Sequence, residues 1–247
     1  MKKKTIVIVL IISFLLGLAA IKKARSYYGL QSERVAYTCG HQHDDTLRLV
    51  LIGDSWVYMH QPYDTLLRQT ITLQTGRPAS VCSYGLSGKT SKEIYTSLFD
   101  NEGLRRLLTL GADYCFVSVG INDTYKKMGA DYFAHHTCMI LRLLLQNGIT
   151  PILMEIPDYD IAYVYEHQTL KKKMLRRLSM IVTQSELDCR EDYRQALRTA
   201  MEAQQLTGRI VIIANQHWDM SLYETDRMHL NERGYRVLDS LILLNVK

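Results

Sequence analysis

From residue 47 onward the chain alternates between short apolar runs and amphipathic stretches. Apolar or β-branched runs at 47–52, 79–83, 113–119, 151–156 and 209–214 predict strands. Between and after them, helical periodicity covers 63–74, 91–99, 131–146, 161–183, 191–204 and 232–244. Continuous apolar strands separated by helices imply an α/β domain, a parallel sheet with both faces covered. Ligands of such open sheets bind beyond the carboxyl ends of the strands. Two polar turns fall at that edge, Gly53-Asp54-Ser55 and Gly120-Ile121-Asn122-Asp123. No fixed-period repeat or low-complexity segment interrupts the alternation, and the four prolines form no linker.

The N-terminus follows another pattern. Lys2, Lys3 and Lys4 precede a run without charge, residues 5–21, and Lys22, Lys23 and Arg25 follow it. Such a run is long for the apolar part of a signal peptide (about 7–15 residues) and just short of a spanning helix of about 20. Residues 1–26 are therefore expected to be a signal anchor, with a cleaved signal peptide as the second reading. The body would lie on the extracytoplasmic side, tethered through 5–21 or secreted if cut. Residues 27–46 are mixed and polar and are read as a linker, and 47–247 as one domain.

The same lysines dispose of the net charge. Of 30 basic side chains six lie within residues 1–26, where there is no acid, and removing them leaves 24 basic against 25 acidic. A body this close to neutral has no basic field to draw it to nucleic acid. Five cysteines cannot all pair within one chain, and no Cys or His spacing suggests a metal site. His41, His43, His135 and His136 are read as surface residues, and the basic stretch 170–177 as a solvated helix face.

Four stretches carry candidate chemistry: GDSW at 53–56, YGLSGKTS at 84–91, VGIND at 119–123 and DRMHLNERGY at 226–235. Alone, each has an ordinary explanation as a cap or turn. Together they supply the groups for acyl transfer at a serine. Asp226 and His229, three apart, can share one face of a turn. A carboxylate there would orient the imidazole and stabilise its cation, and His229 would serve as general base to Ser55. The oxyanion would rest on the N–H groups of Ser55 and Gly88 and on the Asn122 amide. Gly88 suits that role because a residue without Cβ admits a substrate to its backbone.

In this order the four stretches resemble blocks I, II, III and V of the SGNH (GDSL-type) hydrolases, over most of the chain from residue 47. The resemblance implies a flavodoxin-like three-layer α/β/α domain with Ser55 as nucleophile, Asp226 and His229 completing a triad, and Gly88 and Asn122 as oxyanion donors. It implies no metal or organic cofactor. Trp56 stands where the family usually has leucine, Ser83 where block II often has asparagine, and Leu230 where proline often follows the histidine. Trp56 and Trp218 are expected to line the substrate cleft. The expected activity is hydrolysis of O-acyl esters, foremost O-acetyl, on a small molecule or an acylated glycan. A lysophospholipid or short lipid ester, and acetyl transfer to a glycan by the same triad, stand as alternatives. The sequence does not specify an oligomeric state.

Overall fold

A computed structural model describes residues 2–40, 44–109, 111–215 and 218–246 of the chain, which divides into two compact units, Met1–Ser32 and Glu33–Lys247. The first unit is built on one helix, α1 (Lys2–Tyr28). Among the described residues no helix is long and apolar enough to cross a membrane. The side chains of residues 2–7, 9 and 10, part of the run expected to anchor the chain, lie outside them.

The second unit is a parallel sheet of β1 (Leu47–Gly53), β2 (Ala79–Gly85), β3 (Tyr114–Ser118), β4 (Thr150–Met154) and β5 (Val211–Ile213), in the order β2-β1-β3-β4-β5. This is the flavodoxin-like order, in which the chain reverses direction across the sheet between β1 and β3. Strand side chains alternate between two cores. Val50, Ile52, Cys115, Val117 and Leu153 pack under α4 (Ser91–Asp100), α5 (Glu102–Thr109), α7 (Ala130–Gln146) and α10 (Arg190–Ala203). Leu47, Leu49, Leu51, Phe116 and Ile152 pack under α2 (Ser55–His60), α3 (Asp64–Thr75) and α11 (Glu232–Leu243). Burial on both faces accounts for the unbroken apolar runs.

Four expectations need correction. The long basic helix at 161–183 is two, α8 (Ile161–Glu166) and α9 (Leu170–Thr183), because the Thr169 hydroxyl accepts from the Lys172 N–H and opens a new helix. Three short helices fall outside the predicted stretches, α2, α5 and α6 (Ile121–Lys126), each of eight residues or fewer and so too short to show a sustained period. The stretch read as a linker is partly packed: Arg34 pairs with Asp100, Glu33 pairs with Arg142, and Cys39 is buried with its N–H donating to Asn147 Oδ1 at 3.1 Å. His136 is buried rather than on the surface, and burial pushes its pKa down to about 4, so it is a neutral core group 2.6 Å from the Tyr132 carbonyl. His41, His43 and His217 lie outside the described residues. The five cysteines are free.

One buried polar cluster ties the domain together. His60, at the end of α2, places Nε2 2.7 Å from Asp239 of α11 and Nδ1 3.1 Å from both Asp64 and Ser83. Burial would lower its pKa, but the bonds to Asp239 and Asp64 outweigh that and raise it to about 9. A histidine titrating higher folded than unfolded stabilises fully below its unfolded value of about 6.5 and loses that contribution as pH rises through the folded one. We expect the melting temperature to fall between pH 6.5 and 9.5, by on the order of 5–10 °C if the whole shift is felt. A His60→Gln variant should lose that slope, whatever its stability at neutral pH. Parallel melting curves for the two proteins would show that His60 does not carry the charge.

Candidate active site

β1 ends at Gly53, and each residue of the dipeptide Asp54-Ser55 that follows takes a different task. Asp54 is the N-cap of α2, its Oδ1 accepting from the Trp56 N–H at 3.1 Å. Ser55 is therefore the first helical residue and not the cap, with an N–H that the helix leaves without an internal partner. Its hydroxyl is 2.9 Å from His229 Nε2, and His229 Nδ1 is 2.6 Å from Asp226 Oδ2. Residues 174 apart in sequence thus form one chain of hydrogen bonds.

The loop that brings His229 there is a closed turn and not a helix start. Tyr223 and Leu230 form an antiparallel bridge at its base, and the Glu224 N–H donates to the His229 carbonyl at 2.7 Å. Asp226 folds the loop as well as facing the imidazole: its Oδ1 accepts from the N–H groups of Met228 and His229 at 2.9 and 3.0 Å. Burial would raise this carboxyl, but those N–H groups and the imidazole hold it below the usual carboxylate value. Asp226 thus stays an anion beside the ring. Between them, Arg227 takes a left-handed φ of 55° and is held by Asp160 at 2.8 Å and by the face of Tyr163. Asn231, and not Asp226, caps α11.

Asn122 sits in the first turn of α6, directly beyond β3. Gly120 precedes it at φ 109°, and a Cβ there would come within 2.8 Å of Ile156 and Phe133 side-chain atoms, so the turn requires glycine. Asn122 Nδ2 donates one hydrogen to Asp54 Oδ2 at 3.3 Å, and the second has no partner among the described residues. Asp54 is fully buried, and burial raises its pKa to about 7, against the opposing hydrogen bonds from Trp56 and Asn122. The neighbouring Asp123 is spent on structure, accepting from the N–H and hydroxyl of Ser91 at the start of α4.

Gly88 lies in the loop after β2, at the third position of a turn closed by the Lys89 N–H on the Leu86 carbonyl. Its φ of 73° is what a type II turn asks of that position. It is exposed, with open space where a Cβ would project, and its carbonyl accepts from Lys126 of α6 at 2.6 Å. The structure therefore joins Ser55, His229 and Asp226 directly, and Asn122 to Ser55 through Asp54. It brings Gly88 to the same sheet edge through Lys126.

Trp56 does not line a cleft. It is wholly buried, its indole N–H donating to the Met228 carbonyl at 3.0 Å and its own carbonyl accepting from Tyr235. It holds the histidine loop from beneath, a role that no local signal in the sequence announces. Trp218 packs edge-on against Trp56 at 5.8 Å and lines a cavity of about 710 Å³ with Asp158, Tyr159, Asp160, Asp188, Arg190 and Asp219. Among the described residues no group of three or more His, Cys, Asp or Glu side chains could hold a metal ion.

No family model matches the chain, and neither does any curated protein sequence. Solved structures do. An acetyl xylan esterase aligns over 81% of this chain and 100% of its own, with a TM-score of 0.56 and 17% identity. A lipase/acylhydrolase from Enterococcus faecalis covers 81% and 95% at TM-score 0.54 and 17% identity. A variant of an acetyl xylan esterase from Geobacillus stearothermophilus covers 84% and 96% at TM-score 0.53 and 16% identity. A GDSL-like lipase from Bacteroides thetaiotaomicron covers 81% and 87% at TM-score 0.51 and 16% identity. At such identities the likeness is one of architecture: this chain has the α/β fold of the GDSL-type hydrolases.

Proposed function

We propose that the protein is a serine esterase that removes O-acyl groups, foremost O-acetyl, from a glycan. The observation that carries this reading is the Ser55–His229–Asp226 chain, with contacts of 2.9 and 2.6 Å, at the sheet edge where this fold binds ligands. Ser55 Oγ attacks the ester carbonyl as its proton passes to His229 Nε2, and Asp226 holds the other ring nitrogen and the resulting charge. The tetrahedral oxyanion takes hydrogen bonds from the Ser55 N–H, the second Asn122 N–H and the Gly88 N–H. His229 then returns the proton to the leaving alcohol, and a water activated the same way releases the acid.

The glycan preference rests on the cavity beside the histidine loop. Its lining includes four aspartates and Arg190, hydrogen-bonding groups that suit a hydroxylated ring better than an acyl chain. Two of the solved neighbours are named acetyl xylan esterases, which supports the same choice. The run at residues 5–21, bracketed by lysines, would tether this activity on the extracytoplasmic side of a membrane.

The test is a series of p-nitrophenyl esters of increasing chain length, run beside acetylated xylan. Rates that fall beyond acetate, with acetate released from the polymer, are the expected outcome. Rates that climb with chain length would move the substrate to lipid esters. No turnover of any ester would overturn hydrolysis.

A further inference from the structure

α9 carries an unpartnered face, and its residues sort cleanly around the helix. At about 100° per residue, Leu170, Ile181, Met174, Leu178, Val182 and Leu175 fall in that order on an arc of about 140°. All six are between 54% and 75% exposed. Arg176, roughly opposite the middle of that arc, is 4% exposed and stacks on Tyr125 of α6 at 3.9 Å. The apolar face therefore points away from the body, while its back is seated on the helix that bears Asn122. Arg177 and Lys173 border the arc on one side and Lys172 on the other, with Lys171 within it. The helix has no acidic residue, and among the described residues no carboxylate pairs with Lys171, Lys172, Lys173 or Arg177.

From this geometry we infer that α9 is a docking helix for an anionic lipid bilayer, lying in the membrane surface with its apolar arc among the acyl chains and its lysines at the headgroups. An exposed apolar patch of this size on a folded protein marks an interaction site. An apolar arc bordered by Lys and Arg is the pattern of helices that lie in the interface. Charge decides the occupant. A two-fold contact between copies would bring the same four cations of each helix together with no acid to answer them. The N-terminal apolar helix α1 likewise carries basic residues and no acid. Anionic lipid headgroups supply the missing sign. Docking through α9 is independent of the ester-hydrolysis reading and would hold the body by the helix that packs on the Asn122 element.

The test uses the full chain with Leu178→Trp in vesicles of brominated phosphatidylcholine, with or without phosphatidylglycerol. Leu73→Trp, an exposed position on α3, is the control. Bromine quenches only an indole that enters the acyl region, so a tether through α1 does not by itself produce the signal. The indole introduced on α9 should lose more than about half of its emission when phosphatidylglycerol is present, and the one on α3 should lose none. Adding Lys171→Gln, Lys172→Gln, Lys173→Gln and Arg177→Gln, with an unchanged melting curve, should abolish the loss. Equal emission with brominated and plain lipid would overturn the inference, as would quenching indifferent to phosphatidylglycerol. An α9 indole already shielded without lipid, in a chain that sediments as a dimer, would make the face a contact between copies instead.

Discussion

Replacing Ser55 by alanine is expected to lower kcat for p-nitrophenyl acetate by about 10⁴- to 10⁶-fold, the range seen when a triad nucleophile is removed. The hydroxyl's partner is the His229 ring, so its loss should leave the melting curve unchanged. His229→Ala should cost a similar factor, and the double variant no more than either, because neither group works without the other. Asp226→Asn separates the two duties of that side chain. An amide that keeps its oxygen toward the N–H groups of Met228 and His229 preserves the loop, but its NH₂ faces His229 Nδ1 and stabilises the wrong tautomer. The expected result is a folded enzyme with kcat down by about 10⁴. A Ser55→Ala variant within tenfold of the wild type would remove Ser55 as nucleophile.

The second large effect is at the oxyanion. Asn122→Ala should lower kcat by about 10²–10³, with KM little changed, since the amide hydrogen is called on only when negative charge develops. Asp54→Asn keeps an oxygen to cap α2 but loses the acceptor at Oδ2 that aims Asn122. It should cost less than Asn122→Ala, about tenfold. In the Asn122→Ala background it should cost nothing further, as expected of residues acting through one interaction. Additive losses would mean that Asp54 acts by another route.

Much of this was legible in the sequence because the signals are local. Apolar runs of strand length and amphipathic helical stretches carry their own periodicity, so the parallel α/β plan follows from residues 47 to 247 without coordinates. The serine, asparagine, aspartate and histidine stand out because each follows a strand or turn in a short recognisable motif. The apolar segment between lysines is visible in the same way. Contacts between residues far apart in sequence have no such signature.

Only the folded chain decides that Asp54 both caps α2 and aims Asn122. The same holds for Trp56, which turns inward to carry the histidine loop, and for His60, whose buried ring meets Asp239 across 179 positions. Exposure is likewise a tertiary property. The periodicity of residues 170–183 announces an amphipathic helix but not which side meets the body. There the buried face is the one with Arg176, stacked on Tyr125, and the apolar face is left outward. Periodicity reports how one element sorts its own residues. What that element packs against depends on partners the local pattern does not name, and so the plan of the domain belongs to the sequence and the wiring of its site to the tertiary structure.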